Sequence, residues 1–191
     1  MFESTRLVYR TLNEADFDLF YELNSDEEVM KYTYLDRLSS REDAMKAFQD
    51  ILLDQRNPEK GTQYVVSLKG TNIPIGFVDY EVVLNHAQGG IFEIGYFMKK
   101  RYWGQGFGTE MGRAFIDYLF GNFPIHKVIA SVNSKNSKSE GVIVKLGMTK
   151  EGVFKKVRYK DGRWDDELNY GLLKEEWMIR QIEGASANSS S

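Results

Sequence analysis

The sequence predicts a single domain of the α+β class, a mixed sheet with helices packed against it. Three observations predict this. Apolar periodicity switches several times between a spacing of two and a spacing of 3.6 residues. A loop with glycine at every second position, Gly104, Gly106 and Gly108, joins an apolar strand directly to a helix. A chain of 191 residues, 42% hydrophobic and 14% aromatic, is long and apolar enough for one sizeable core.

The elements follow in order. Leu7 to Arg10 reads as a short strand. Asn13 is a good N-cap, with Asp16 three residues later, for a helix whose apolar face is Phe17, Phe20, Tyr21 and Leu23. A short helix covers Glu27 to Lys31. Ser39 or Ser40 caps another, with Ala44, Phe48, Ile51 and Leu52 inward, and Pro58 and Gly61 stop it. Gln63 to Leu68 is rich in β-formers, and the turn Gly70-Thr71-Asn72 leads into Ile75 to Leu84. Ile91 to Met98 is the fourth strand and precedes the glycine loop. A helix from about Thr109 to Phe120, the fifth strand Lys127 to Val132, a helix Ser137 to Leu146 and strands Thr149 to Tyr159 and Arg163 to Leu172 complete the sheet. Glu175 to Ile182 suggests a terminal helix. Residues 1–183 therefore read as one domain, and the low-complexity stretch 184–191 as a disordered tail. No internal repeat or linker divides the chain.

Charge and composition exclude several functions. A net charge of −3 lacks the basic footprint of a nucleic-acid binder. The absence of cysteine removes disulfides, thiolate metal sites and a Cys nucleophile, and fits a reducing compartment. His86 and His126 are too few for a metal cluster, so no metal is expected. No apolar run approaches the ~18 residues of a membrane span, and no signal peptide opens the chain. The expected location is the cytoplasm.

The glycine loop carries the chemistry. Glycine lets main chain approach a ligand and adopt positive φ, and a helix start offers free N–H groups and the positive end of a dipole. Strand, glycines and helix together suggest a cradle for phosphate. A mononucleotide P-loop needs Lys and then Ser or Thr after its last glycine, where this chain has Thr109-Glu110. The dinucleotide fingerprint fails twice. Its third glycine falls one residue early here, and the next strand ends in Val132-Asn133 without a carboxylate.

A third pattern matches. Trp103-Gly104-Gln105-Gly106-Phe107-Gly108 resembles the pyrophosphate loop of the GNAT (general N-acetyltransferase) superfamily, with Trp in the first place as in the branch of ribosomal-protein-alanine N-acetyltransferases. Downstream, Asn136-Ser137-Lys138-Ser139 and Lys145-Leu146-Gly147-Met148 resemble the family's second cofactor element. Glu151-Gly152-Val153, Asp161-Gly162-Arg163-Trp164, Asp166 and Tyr170-Gly171-Leu172-Leu173 fit its tail. Thr5 to Arg10 and Pro74-Ile75-Gly76-Phe77 match its first and third strands, so the likeness spans roughly residues 4 to 178.

The resemblance implies a mostly antiparallel seven-stranded sheet, splayed between the fourth and fifth strands and flanked by four to five helices. It implies transfer of an acetyl group from acetyl-CoA to a primary amine, by direct attack in a ternary complex. A GNAT-fold protein that binds acyl-CoA without turnover stays open as the alternative. The implied partners are acetyl-CoA, an amine such as a protein N-terminus or a small metabolite, and, as an open option, a second copy of the chain. No nucleic acid or membrane is implied.

Each chemical demand then has candidates. Backbone amides from Gly104 to Thr109, that of Gln105 among them, suit the pyrophosphate, with the Trp103 and Phe107 side chains packing the loop. Lys99, Lys100 and Arg101 suit the 3′-phosphate or form a solvated basic turn. Asn136 is the family's cofactor contact and equally a helix N-cap. Phe97 and Met98 fall where pantetheine pairs with the splayed strand, and the Met98 N–H is the candidate oxyanion donor. Alternation puts Glu93, Gly95 and Phe97 on one face and Ile94, Tyr96 and Met98 on the other. Glu93, five residues before Met98, is the general-base candidate, with Asp79, Glu81, Asp165 and Asp166 as rivals. Many relatives carry a Tyr acid where this chain has Ile143. Ser139 or water is left to protonate the leaving thiolate. Tyr32, Tyr34 and Trp164, in the segments Lys31 to Ser40 and Lys160 to Trp164, are candidates for stacking on the acceptor.

Overall fold

Cap chemistry sets the helix starts. The Asn13 side chain accepts from the Ala15 N–H while Asp16 accepts from the Asn13 N–H, a capping box over a 3-10 turn that runs into helix α1 (Phe17–Ser25). Asp26 caps α2 (Glu27–Met30), and Ser40 caps α3 (Arg41–Asp54). The computed structural model describes residues 1–57 and 59–188; Pro58, expected to help stop α3, lies outside the described residues.

Among the described residues eight strands form one sheet: β1 (Phe2–Glu3), β2 (Leu7–Thr11), β3 (Gly61–Leu68), β4 (Pro74–Leu84), β5 (Gly90–Met98), β6 (Ile125–Asn133), β7 (Thr149–Lys160) and β8 (Arg163–Leu173). Their order is β1-β2-β3-β4-β5-β6-β8-β7, antiparallel except between β5 and β6. The eighth strand is β1. Two residues are too few for a periodic signal, but Phe2 stacks on Tyr9 and Tyr118 with centroids 4.3 and 4.1 Å away, which anchors it.

Helices cover both faces, α1 and α3 on one, α4 (Phe107–Asn122), α5 (Ser137–Lys145) and α6 (Lys174–Asn188) on the other. The larger core joins Met111, Phe115 and Leu119 of α4 to Val78, Tyr80, Phe92 and Val128 of the sheet. The smaller joins Leu19, Phe20 and Leu23 of α1 and Phe48 of α3 to Val65 and Phe77. No helix among the described residues is long and apolar enough to cross a membrane. Among the described residues six α-helices form rather than four to five. The last runs on to Asn188, where the sequence suggested a disordered stretch from Gly184; residues 189–191 of that stretch lie outside the described residues.

Candidate active site

The glycine loop folds as a left-handed turn into a helix. Gly104 and Gly106 have φ of 74° and 80°, and Gly106 is the N-cap of α4. That helix starts two residues earlier than its periodicity suggested, because Phe107 and Gly108 already turn helically. The Glu110 N–H bonds to the Gly106 carbonyl, so the amides of Phe107, Gly108 and Thr109 precede the first such bond and have no partner one turn back. A side chain at Gly104 would meet nothing within 4 Å, and one at Gly106 only an Arg6 nitrogen at 3.5 Å. The space over the loop is open, and the helix dipole makes it favourable for an anion.

Side chains hold this loop from behind. Trp103 Nε1 donates to the Met98 carbonyl at 2.8 Å, and Gln105 Nε2 to the Arg101 carbonyl at 2.8 Å. Arg6 lies 4.1 Å over the Phe107 ring, reaches the Gln105 carbonyl and pairs with Glu110 at 2.6 Å. Trp103, Gln105 and Phe107 are therefore braces, and the loop offers a ligand its main chain. Lys99 turns the other way, to Glu22 at 2.6 Å, and Lys100 faces Glu28.

Beside the loop the sheet opens. β5 pairs with β6 only from Gly90 to Glu93, whereas its ladder with β4 continues to Met98. Ile94 to Met98 thus have a partner strand on one side alone. The Lys99 N–H bonds to the Ile75 carbonyl of β4, so alternation turns Phe97 and Gly95 toward β4 and Met98, Tyr96 and Ile94 toward the opening. Met98 thus presents its N–H to the gap. Phe97 does not. Its carbonyl lies against Gly76 of β4 and its ring packs toward the smaller core.

On the α5 side of the gap, Asn136 caps the helix by accepting from the Ser139 N–H at 3.2 Å. Ile143 is core. Sequence reasoning passed over Tyr96, whose hydroxyl donates to Ser139 Oγ at 3.1 Å. Its alternation onto the sheet face opposite to Glu93, the face that α4 and α5 cover, was the available signal. Burial pushes the Tyr96 hydroxyl above its usual pKa, and the bond to Ser139 acts the other way.

The opposite face of the sheet carries carboxylates. Glu81 and Glu93 are directly paired across β4 and β5, and Asp79 is paired with Gly95 one step along. None of the three makes a hydrogen bond or ion pair among the described residues. Burial first, then the charges of Glu81 and Glu93, push the Asp79 carboxyl up to about 7. Tyr34 is also raised, first by burial of its hydroxyl and then by Glu93, with Arg158 opposing.

Asp165 and Asp166, rivals for the base, have partners. Asp165 is bound by Lys135, Asn133 and Arg163; the Lys135 bond is the main cause that holds it down at about 2. Asp166 accepts from the Lys156 N–H, steadying a residue at φ 51° in β7. Glu167 pairs with Arg158, which stacks 3.7 Å over the Tyr34 ring. The two variable segments prove to be one unit. Lys160 Nζ donates to the carbonyls of Met30, Thr33 and Leu35 at 2.7–2.8 Å and so ties the β7–β8 hairpin to the loop carrying Tyr32 and Tyr34. Trp164 packs on Tyr159.

Comparison with known proteins agrees with this geometry. The model of the acetyltransferase (GNAT) domain matches residues 6–149. A Bacillus subtilis protein named an uncharacterized N-acetyltransferase, YnaD, is 33% identical over 173 residues, 90% of this chain and 96% of its own. A GNAT acetyltransferase structure from Bacillus anthracis superposes with a TM-score of 0.78 at 28% identity, over 91% of this chain and 98% of its own. The spermidine N-acetyltransferase of Vibrio cholerae, in complex with CoA and spermine, shares the fold with a TM-score of 0.80 at 19% identity, over 92% and 99%. An opened sheet beside an anion-ready helix start is what such a family needs, and on the family match the chain belongs to the GNAT acetyltransferases and is an N-acetyltransferase.

Proposed function

We propose that this enzyme moves the acetyl group of acetyl-CoA to a primary amine by direct attack in a ternary complex, with Glu93 as general base. The observation that carries the reading is the position of Glu93: it is the last residue of β5 paired to β6, at the apex of the opening, and its carboxylate has no hydrogen-bond or ion-pair partner among the described residues. An amine with a pKa of about 10.4 reaches the site as ammonium. Glu93 removes a proton, the free nitrogen attacks the thioester carbon, and the oxyanion meets the Met98 N–H. Collapse breaks the C–S bond. The thiolate then takes a proton from Ser139 or from water; with the Tyr96 hydroxyl donating into Ser139 Oγ, the Ser139 proton is left to point elsewhere. The open loop Gly104–Thr109 supports pyrophosphate binding by main chain, with the Asn136 amide nearby. Three uncompensated carboxylates favour a cationic acceptor, and spermine held with CoA by a protein of the same fold supports an amine.

The test combines binding and turnover. Acetyl-CoA should raise the melting temperature, because it binds only the native state, whereas ATP and NAD should not. Gly106→Val, strained at φ 80°, should abolish the shift. Thiol release from acetyl-CoA with a panel of peptide N-termini, polyamines and amino acids then identifies the acceptor. Equal stabilisation by ATP, or no thiol release with any amine, overturns the proposal.

A further inference from the structure

The acetyl-transfer reading uses one of three unpaired carboxylates and leaves the most buried unexplained. Like charges directly opposite in a ladder are destabilising, and diagonal neighbours on one face are ~7–8 Å apart. Glu81 and Glu93 are opposite, and Asp79 is diagonal to Glu93. Buried carboxylates elsewhere have partners: Asp16 has Arg10, Asp165 has Lys135, Glu167 has Arg158. The Asp79 Oδ1 is buried without one. So is Oε1 of Gln63, the residue paired with Asp79 across the β3–β4 ladder and therefore on the same face. Two acceptor oxygens on paired residues lack a donor, and a proton arriving on Asp79 would supply one. The fold also makes room for this carboxyl. A Cβ on Gly95 would lie 2.9 and 3.0 Å from the two Asp79 oxygens.

Two protons must leave the acceptor nitrogen when an ammonium becomes an amide. One ends on the CoA sulfur and the other in solvent. Glu93 holds one proton at a time. We propose that Asp79 is a positioning residue working through Glu93: it takes over one of the two protons that the nitrogen sheds, and releases it to solvent after turnover. The bonds made and broken remain those of acetyl transfer, C–N formed and C–S broken, with no further reactant. The groups facing Asp79 fit the role. Glu81 on its own strand and Glu93 on β5 raise its proton affinity, Gln63 on β3 is neutral, and the Tyr34 hydroxyl feels Asp79 together with Glu93, Arg158 and Glu167.

This inference rests on Glu93 as the base, and the experiment separates the two. The pH profile of kcat/KM is measured for the wild type, Asp79→Asn, Gly95→Ala and Glu93→Gln. Asp79 must be ionised to take the proton over, so the wild-type acid limb reports Asp79; in Asp79→Asn that limb should move to lower pH, with kcat down about 10-fold. Gly95→Ala keeps Asp79 but displaces its carboxyl, and should move the limb the same way. Should Asp79→Asn fail to fold, Gly95→Ala decides alone. An inactive Glu93→Gln with an unmoved limb in the other two variants overturns the Asp79 role and leaves the base standing. Full turnover by Glu93→Gln overturns both.

Discussion

Asp165 and Asp79 lie on the same face of one sheet, on β8 and β4, yet their surroundings push them in opposite directions. Asp165 is held at about 2 by Lys135, Asn133 and Arg163. Asp79 stands at about 7 beside the Glu81–Glu93 pair, with no ion-pair partner among the described residues. A carboxyl that stays ionised cannot trade protons near neutrality, and one near 7 can. On the roles proposed for Glu93 and Asp79, the difference separates the scaffold from the working part of an acidic face. The β7–β8 side is neutralised and tied to the loop at Tyr34. The side at the apex of the opening keeps its negative charge for something that arrives.

Variants can break this comparison. The largest effect should come from Glu93→Gln, which lowers kcat/KM by roughly 10²-fold at neutral pH, the scale of a lost general base. The loss should shrink at high pH, where more amine is already free, and acetyl-CoA affinity should hold. Wild-type turnover would move the base role to another group.

Stability should separate the two aspartates by sign. Asp79 has a raised pKa in the folded state, so the native protein binds more protons and loses stability as pH rises from about 4 to about 7. Asp79→Asn should therefore melt several degrees higher than wild type at pH 8 and match it below pH ~4. Asp165 has a depressed pKa, with stability present above about 3.8 and lost as pH falls through about 2. Asp165→Asn should melt lower than wild type at pH 7, converge on it in acid, and leave kcat nearly unchanged. Melting curves for both variants across pH check the pair, and shifts of the same sign would erase the distinction.

Smaller effects are expected across the gap. Ser139→Ala should cost about 10-fold in kcat, since one modest hydrogen bond contributes ~0.5–1.5 kcal/mol. Tyr96→Phe should cost less, because it removes only the group that orients Ser139. The double variant should then lose little beyond Ser139→Ala alone, and additive losses would show that Tyr96 acts independently.

Much of this was legible early because its signals are local. The Asn13 and Ser40 caps, the turn at Gly70 and the strand of nine residues ending at Met98 each follow from a few neighbouring side chains. The loop Gly104 to Gly108 announces itself because only glycine takes positive φ freely and lets a ligand approach main chain. Alternation likewise separates Glu93 from Tyr96 and Met98 with no knowledge of what lies beside them.

Tertiary structure decided the rest, because it turned on pairings between residues far apart in the chain. Lys135 meets Asp165 thirty positions on, which removes that aspartate from the candidates for the base. Lys160 reaches back to Met30, joining two loops that look unrelated in sequence. Tyr96 finds Ser139 only because β5 leaves β6 after Glu93. Asp79 looked like any strand carboxylate until the β4–β5 register set it over Gly95 and beside Glu93. The sequence by itself determined which backbone could cradle an anion. Which carboxylates stay unpaired depended on sheet register and ion pairing, since a charge is tuned by whatever the folded chain brings within a few ångströms of it.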